Sequence, residues 1–125
     1  MPSDPTDIPI LDLETAAGRL RLPQEVLAGI LGNFVEKYRA VAADMSSLIQ
    51  AGELDQAERL AHSLKGLAAT LGAAILEAPA AELEAAIPAG DETRTAAALE
   101  DLRVRMAAAV AEIEAWLAAR PGAGD

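Results

Sequence analysis

The chain contains no cysteine. Disulfides, thiolate metal sites and thiol nucleophiles are therefore excluded. Aromatic residues make up only 2% of it, with one Trp, one Tyr and one Phe. Any core must then be aliphatic. There is a single histidine, His62. That rules out a multi-histidine metal site and a relay through a second imidazole. Basic residues are scarce as well: 10 Lys and Arg stand against 20 Asp and Glu, for a net charge of −10. Such a balance argues against binding nucleic acid or an anionic membrane. No run of about 18 apolar residues occurs, so nothing is expected to span a bilayer. The first ten residues, MPSDPTDIPI, are acidic and proline-rich. They lack the basic and apolar regions of a secretory signal. A soluble cytoplasmic protein is the expectation.

What is present points to helices. Hydrophobic residues reach 52% of the 125 positions, enough for one domain with a working core. Alanine dominates the composition, and alanine, leucine, glutamate and arginine are strong helix formers. Residues 1–9 carry three prolines and two aspartates and are expected to be a disordered tail. A short helix is predicted over Asp12–Leu20, with Asp12 as its cap. Pro23 suits the first turn of the next helix. From there Leu27, Ile30, Leu31, Phe34, Tyr38, Val41, Met45, Leu48 and Ile49 recur at helical spacing, predicting one long helix. Gly52 is its expected stop. Further helices are predicted over Leu54–Leu71, stopped by Gly72, and over 73–87, where Pro79 should kink or break the helix. Asp91 should cap the last helix, whose stripe is Leu99, Leu102, Met106, Val110, Ile113 and Leu117 with Trp116 beside it. Pro121-Gly122 closes it, and 120–125 is expected to be a disordered tail. No strand pattern or internal repeat is visible. The predicted fold is all-α: an antiparallel four-helix bundle over 10–119 with a short additional N-terminal helix.

The informative stretch is Ala61-His62-Ser63-Leu64-Lys65-Gly66-Leu67-Ala68-Ala69-Thr70-Leu71-Gly72. On a helical wheel Ala57, Leu60, Leu64, Leu67 and Leu71 form one stripe facing the core. Glu58, His62, Lys65, Gly66 and Ala69 fall on the opposite side. A lone histidine on a helix is most often an inconsequential surface residue. The neighbours of His62 set it apart. Gly66 lies one turn later on the same face, and glycine inside a helix costs about 1 kcal/mol against alanine. In a chain that uses alanine nearly everywhere, that exception asks for a reason. Close helix packing is one; access of another protein to the imidazole is the other, favoured by the position away from the core stripe. Lys65, at i+3, is either an ordinary solvated lysine or a positive charge held beside an anion on His62. An exposed imidazole is largely neutral at pH 7, so a ring nitrogen is free to attack phosphorus. A lysine beside it offsets phosphoryl charge.

This segment resembles the histidine-containing phosphotransfer (HPt) domain of multistep phosphorelays. The family motif is a histidine, a hydrophobic residue, Lys and Gly, with a second glycine further on. Here it reads His62-Ser63-Leu64-Lys65-Gly66, with Gly72 at the later position. The resemblance runs from about Leu11 to Leu117, mainly as apolar spacing outside the motif. It implies that His62 accepts a phosphoryl group on Nε2, that Lys65 stabilises it and that Gly66 gives access. It places a ring-orienting carboxylate on the following helix at Glu84. Glutamate there is also found in the phosphoacceptor domain of chemotaxis-type kinases, so a kinase acting in trans is a second possible donor. The resemblance further implies a monomeric carrier with no kinase chemistry of its own. It has no intrinsic cofactor, since Mg²⁺ comes with the response-regulator receiver domain. Its partners would be receiver domains and a hybrid or chemotaxis-type histidine kinase. Docking candidates around His62 are Ala61, Ala69 and Thr70, with Glu58 and Arg59 at the rim. Two other readings remain: a dimeric phosphoacceptor fragment of a histidine kinase, which Ser63 and Gly66 do not match, and a helical binding module without chemistry.

Overall fold

The structure is a computed structural model that describes residues 22–119. The two expected tails, the helix predicted over Asp12–Leu20 and the Pro121-Gly122 stop lie outside the described residues. Among those described the chain is an all-α helical bundle with no strand. Its helices are α1 (Gln24–Tyr38), α2 (Val41–Gln50), α3 (Leu54–Leu71), α4 (Ala74–Ala89) and α5 (Glu92–Ala119). Helix α3 packs along α4, and α4 along α5; α2 lies against α3 and α5, and α1 against α5.

The core is aliphatic, as the scarcity of rings requires. Leu27, Leu31, Met45, Leu64, Leu76, Leu83, Leu102, Met106 and Ile113 are fully buried. Full burial of one such side chain contributes about 1.5–3 kcal/mol relative to exposure. The turns rest on glycines at positive φ. Gly72 (φ 73°) and Gly90 (φ 70°) end α3 and α4 in the left-handed conformation and donate to carbonyls of the last turn. A side chain costs about 1–2 kcal/mol there. Asp91 caps α5 as expected, its Oδ1 accepting from the Arg94 amide at 3.1 Å.

Four expectations need correction. The long helix predicted from Pro23 to Gly52 is two helices, parted at Arg39 and Ala40. No proline or glycine marks the break, and the apolar spacing runs through it in phase. Tyr38 and Val41, on either side, both stay buried, and the Arg39 guanidinium between them reaches Glu114 of α5 at 2.5 Å. Pro23 stands one place outside α1, as its N-cap. Helix α4 is not broken at Pro79, and it also takes in Pro88 near its end. Finally, the seam of α3 is made by Ala57, Ala61, Leu64, Ala68 and Leu71, while Leu60 and Leu67 are only half-buried. Alanine seams let helices approach closely, so the small residues take the interior positions that hydrophobicity alone gave to leucine.

The hydrogen bond lost at Pro79 has a replacement. Proline lacks the N–H that would bond the carbonyl four residues earlier, here that of Ile75. Arg105 of α5 supplies the missing donor: its Nη1 bonds the Ile75 carbonyl oxygen at 3.0 Å. Asp101 holds the same guanidinium through Nε at 2.8 Å. Arg105→Met should therefore cost about 1–2 kcal/mol by leaving that part-buried carbonyl unpaired. In a Pro79→Ala background, where the N–H is restored, the same change should cost clearly less. Equal losses in both backgrounds, measured by urea unfolding, would show that the arginine does not serve the proline.

Candidate functional site

Helix α3 presents His62, and the seam of α3 dictates how. With Ala61 and Leu64 buried at 0% exposure, residue 62 must project outwards, and its side chain is 68% exposed. Helix α4 runs beside it and brings in Glu84. The neighbour of Glu84, Leu83, is fully buried, so the glutamate emerges at the edge of the α3–α4 seam with its side chain 23% exposed.

One carboxylate joins the three groups. Glu84 Oε2 lies 2.5 Å from His62 Nδ1. Its other oxygen, Oε1, lies 2.5 Å from Lys65 Nζ. The two contacts hold the Glu84 carboxyl below its ordinary value, the Lys65 hydrogen bond more strongly than that of His62. Glu84 is therefore an anion at neutral pH, and an anionic carboxylate can only accept hydrogen bonds. The proton between the two residues is thus assigned to Nδ1. In the neutral ring that leaves Nε2 unprotonated, with its lone pair directed away from Glu84.

Carboxyls at Glu82 and Glu100 are likewise held low, chiefly by hydrogen bonds from Arg94 and Arg103. All three bind a proton less readily folded than unfolded. Their contribution is present above the ordinary value of 4.5 and is lost as pH falls through the lower folded values. The melting temperature should therefore drop on acidification below about pH 4.5, and Glu84→Gln should flatten part of that drop. A variant with the full wild-type acid dependence would show that the Glu84 contacts add nothing to stability.

Gly66 sits one turn beyond His62. A Cβ built there meets nothing within 4 Å, so the glycine is not demanded by packing. Its carbonyl accepts a hydrogen bond from Thr70 Oγ1 at 3.1 Å. Gly66→Ala should raise stability by about 0.5–1 kcal/mol and slow any reaction that needs a second protein against the imidazole. Unfolding of this variant would contradict the open-surface reading.

The other candidates divide. Ala69 and Thr70 are exposed beyond Gly66, Arg59 is exposed before His62, and Glu58 is half-buried. Ala61 is corrected: its side chain is buried in the helix seam, so it is no docking residue. Asp55 and Ser63 were not among the sequence candidates, yet both line a shallow cleft with Glu58, Arg59, His62 and Glu84. The signal for Asp55 was its spacing, seven residues before His62 and so on the same face. The Lys65–Glu84 pair had no sequence signal, because it depends on how α4 is set beside α3. Among the described residues no group of three or more His, Asp or Glu side chains is placed to hold a metal ion. No described helix is long and apolar enough to cross a membrane.

Comparison with known families matches residues 29–119 to the model described as Hpt domain. Comparisons with curated proteins and with solved structures return no match.

Proposed function

The chain belongs to the Hpt domain family, whose members carry phosphoryl groups on histidine in phosphorelays, and we propose that His62 is its phosphoacceptor and exchanges the group with the aspartate of a response-regulator receiver domain. The observation that carries this reading is the contact between Glu84 and Nδ1. It turns an exposed imidazole into an oriented nucleophile with Nε2 free.

The step balances without a base. The Nε2 lone pair attacks the phosphorus of an aspartyl phosphate, the P–O bond breaks, and the receiver's carboxylate leaves. The proton on Nδ1 stays where it is. The ring then carries positive charge, and Glu84 lies against the nitrogen that bears it. Return transfer reverses each event. Lys65 anchors the second oxygen of Glu84 and so keeps the carboxylate aimed at the ring. It also places a cation one turn from the phosphoryl group. The receiver brings Mg²⁺ and the acidic pocket. The carrier itself works as a monomer, on an antiparallel four-helix bundle, with no kinase activity of its own. Gly66, Ala69 and Thr70 form the small-residue surface for the incoming partner, with Glu58 and Arg59 at its rim, where charge governs specificity and on-rate more than affinity.

The test is transfer itself. Receiver domains carrying labelled aspartyl phosphate are mixed with the protein, and an acid-labile, base-stable label should move to this chain as the receiver loses it. If no receiver delivers label and only a chemotaxis-type kinase does, the partner is a kinase. Absence of label from both rejects the carrier reading in favour of a binding module.

A further inference from the structure

The cleft beside His62 is an unfavourable place for a phosphate. Asp55, Glu58 and Glu84 contribute three carboxylates to its lining, and the whole chain is at −10. A phosphoryl group on the ring adds a further dianionic charge within that set. Lys65 is not in the lining of this cleft, and its ammonium is tied to Glu84 Oε1 at 2.5 Å. Moving it to the phosphoryl group would free the carboxylate that orients the ring.

Arg59 is differently placed. It lies three residues before His62, on the adjoining turn of the same helix face. It is exposed, it lines the cleft, and among the described residues it is the only lysine or arginine that does so. Among the described residues it has no ion-pair partner: no carboxylate lies within 4.0 Å of it, although Asp55 stands four residues earlier. The ring is held at Nδ1 from the α4 side. The two ring nitrogens diverge, so a group on Nε2 leaves the ring on the side opposite the Nδ1–Glu84 contact, and His62 lines the cleft together with Arg59.

We propose that Arg59 grips the phosphoryl group on His62, its guanidinium reaching from the preceding turn to two phosphoryl oxygens on Nε2. This rests on the carrier reading and adds a residue to it. The planar fork of arginine matches two oxygens at once, which an ammonium cannot do. Lys65 is then an anchor for Glu84, and Arg59 is the group that meets the phosphate. The division lets the ring stay oriented throughout the carrier's loaded state.

The full chain can be loaded without any partner protein, using phosphoramidate. Its P–N bond breaks, its nitrogen leaves as ammonia, and the phosphorus bonds Nε2. Loading is followed by ³¹P NMR, and the phosphohistidine resonance is titrated with pH. Arg59→Ala should load about five- to tenfold more slowly and should titrate at higher pH, because the dianion has lost its cation. Arg59→Lys should fall between the two. Arg103→Gln, which removes the same charge from a distant Glu100 pair, should behave as wild type. Equal loading and titration of Arg59→Ala and wild type would overturn the Arg59 assignment alone. Equal impairment by Arg103→Gln would overturn it too, by reducing the effect to net charge. Failure of the wild type to load at all would overturn the carrier reading, and the role of Arg59 with it.

Discussion

His62→Gln should abolish acid-labile phosphorylation, lowering the label from any donor to background, while the protein stays folded. The side chain at 62 is 68% exposed, and Glu84 is the one partner seen for it. Exposed substitutions of this kind usually change stability by no more than about 0.5 kcal/mol. Glutamine can keep a donor towards Glu84 but offers no ring nitrogen to phosphorus. Thermal melts and transfer assays on the same sample separate the two effects. Label that persists in the folded variant would move the acceptor elsewhere.

Glu84→Ala should slow loading of His62 by about tenfold to a hundredfold, in the range seen when a group that orients a reactive imidazole is removed. Without the carboxylate the ring samples both tautomers and all rotamers, and the positive charge of the loaded ring loses its counterion. The variant also frees Lys65 from its contact at 2.5 Å. Glu84→Gln keeps an acceptor for Nδ1 but not the charge, and should lie between alanine and wild type. A second comparison guards against a merely structural effect. Lys65→Met leaves the Glu84–His62 contact possible but unanchored, so it should slow loading less than Glu84→Ala does. Equal loading rates for Glu84→Ala and wild type would show that the contact does not prepare the ring.

The site was legible where chemistry follows from spacing along one helix. His62, Lys65 and Gly66 share a face of α3 by the helical repeat alone, and Gly66 stands open, with nothing within 4 Å of an added Cβ. Glu84 was reachable only through the motif, because contact between residues 62 and 84 depends on the packing of α3 on α4. An intact helix through Pro79 carries Glu84 in register to the ring, and Arg105 supplies a donor to the carbonyl that Pro79 leaves without one. Nothing within the α4 sequence announces that arginine, which lies thirty residues from the carbonyl it serves.

The fold was legible in its ends more than its middles. Gly52, Gly72 and Asp91 mark turns and a cap by local conformational preference, and local preference decides such positions. The division of the first long helix at Arg39 and Ala40 was not legible. Its apolar stripe is continuous, and no proline or glycine marks the break. The alanine seam of α3 was also hidden. Ala57 lies on the expected core stripe, but Ala61 and Ala68 carry little hydrophobic signal and occupy the interior because small side chains bring two helices close. That misplacement is what put Ala61 on the docking surface.

The most direct test of the account is the position of the phosphorus atom. The protein is prepared with ¹⁵N-labelled histidine and loaded from a phosphorylated receiver domain, and the ³¹P–¹⁵N coupling is read on the only imidazole in the chain. The account predicts phosphorus on Nε2 of His62 with the proton retained on Nδ1, facing Glu84. Phosphorus on Nδ1, or on a hydroxyl or carboxyl group elsewhere, would contradict it.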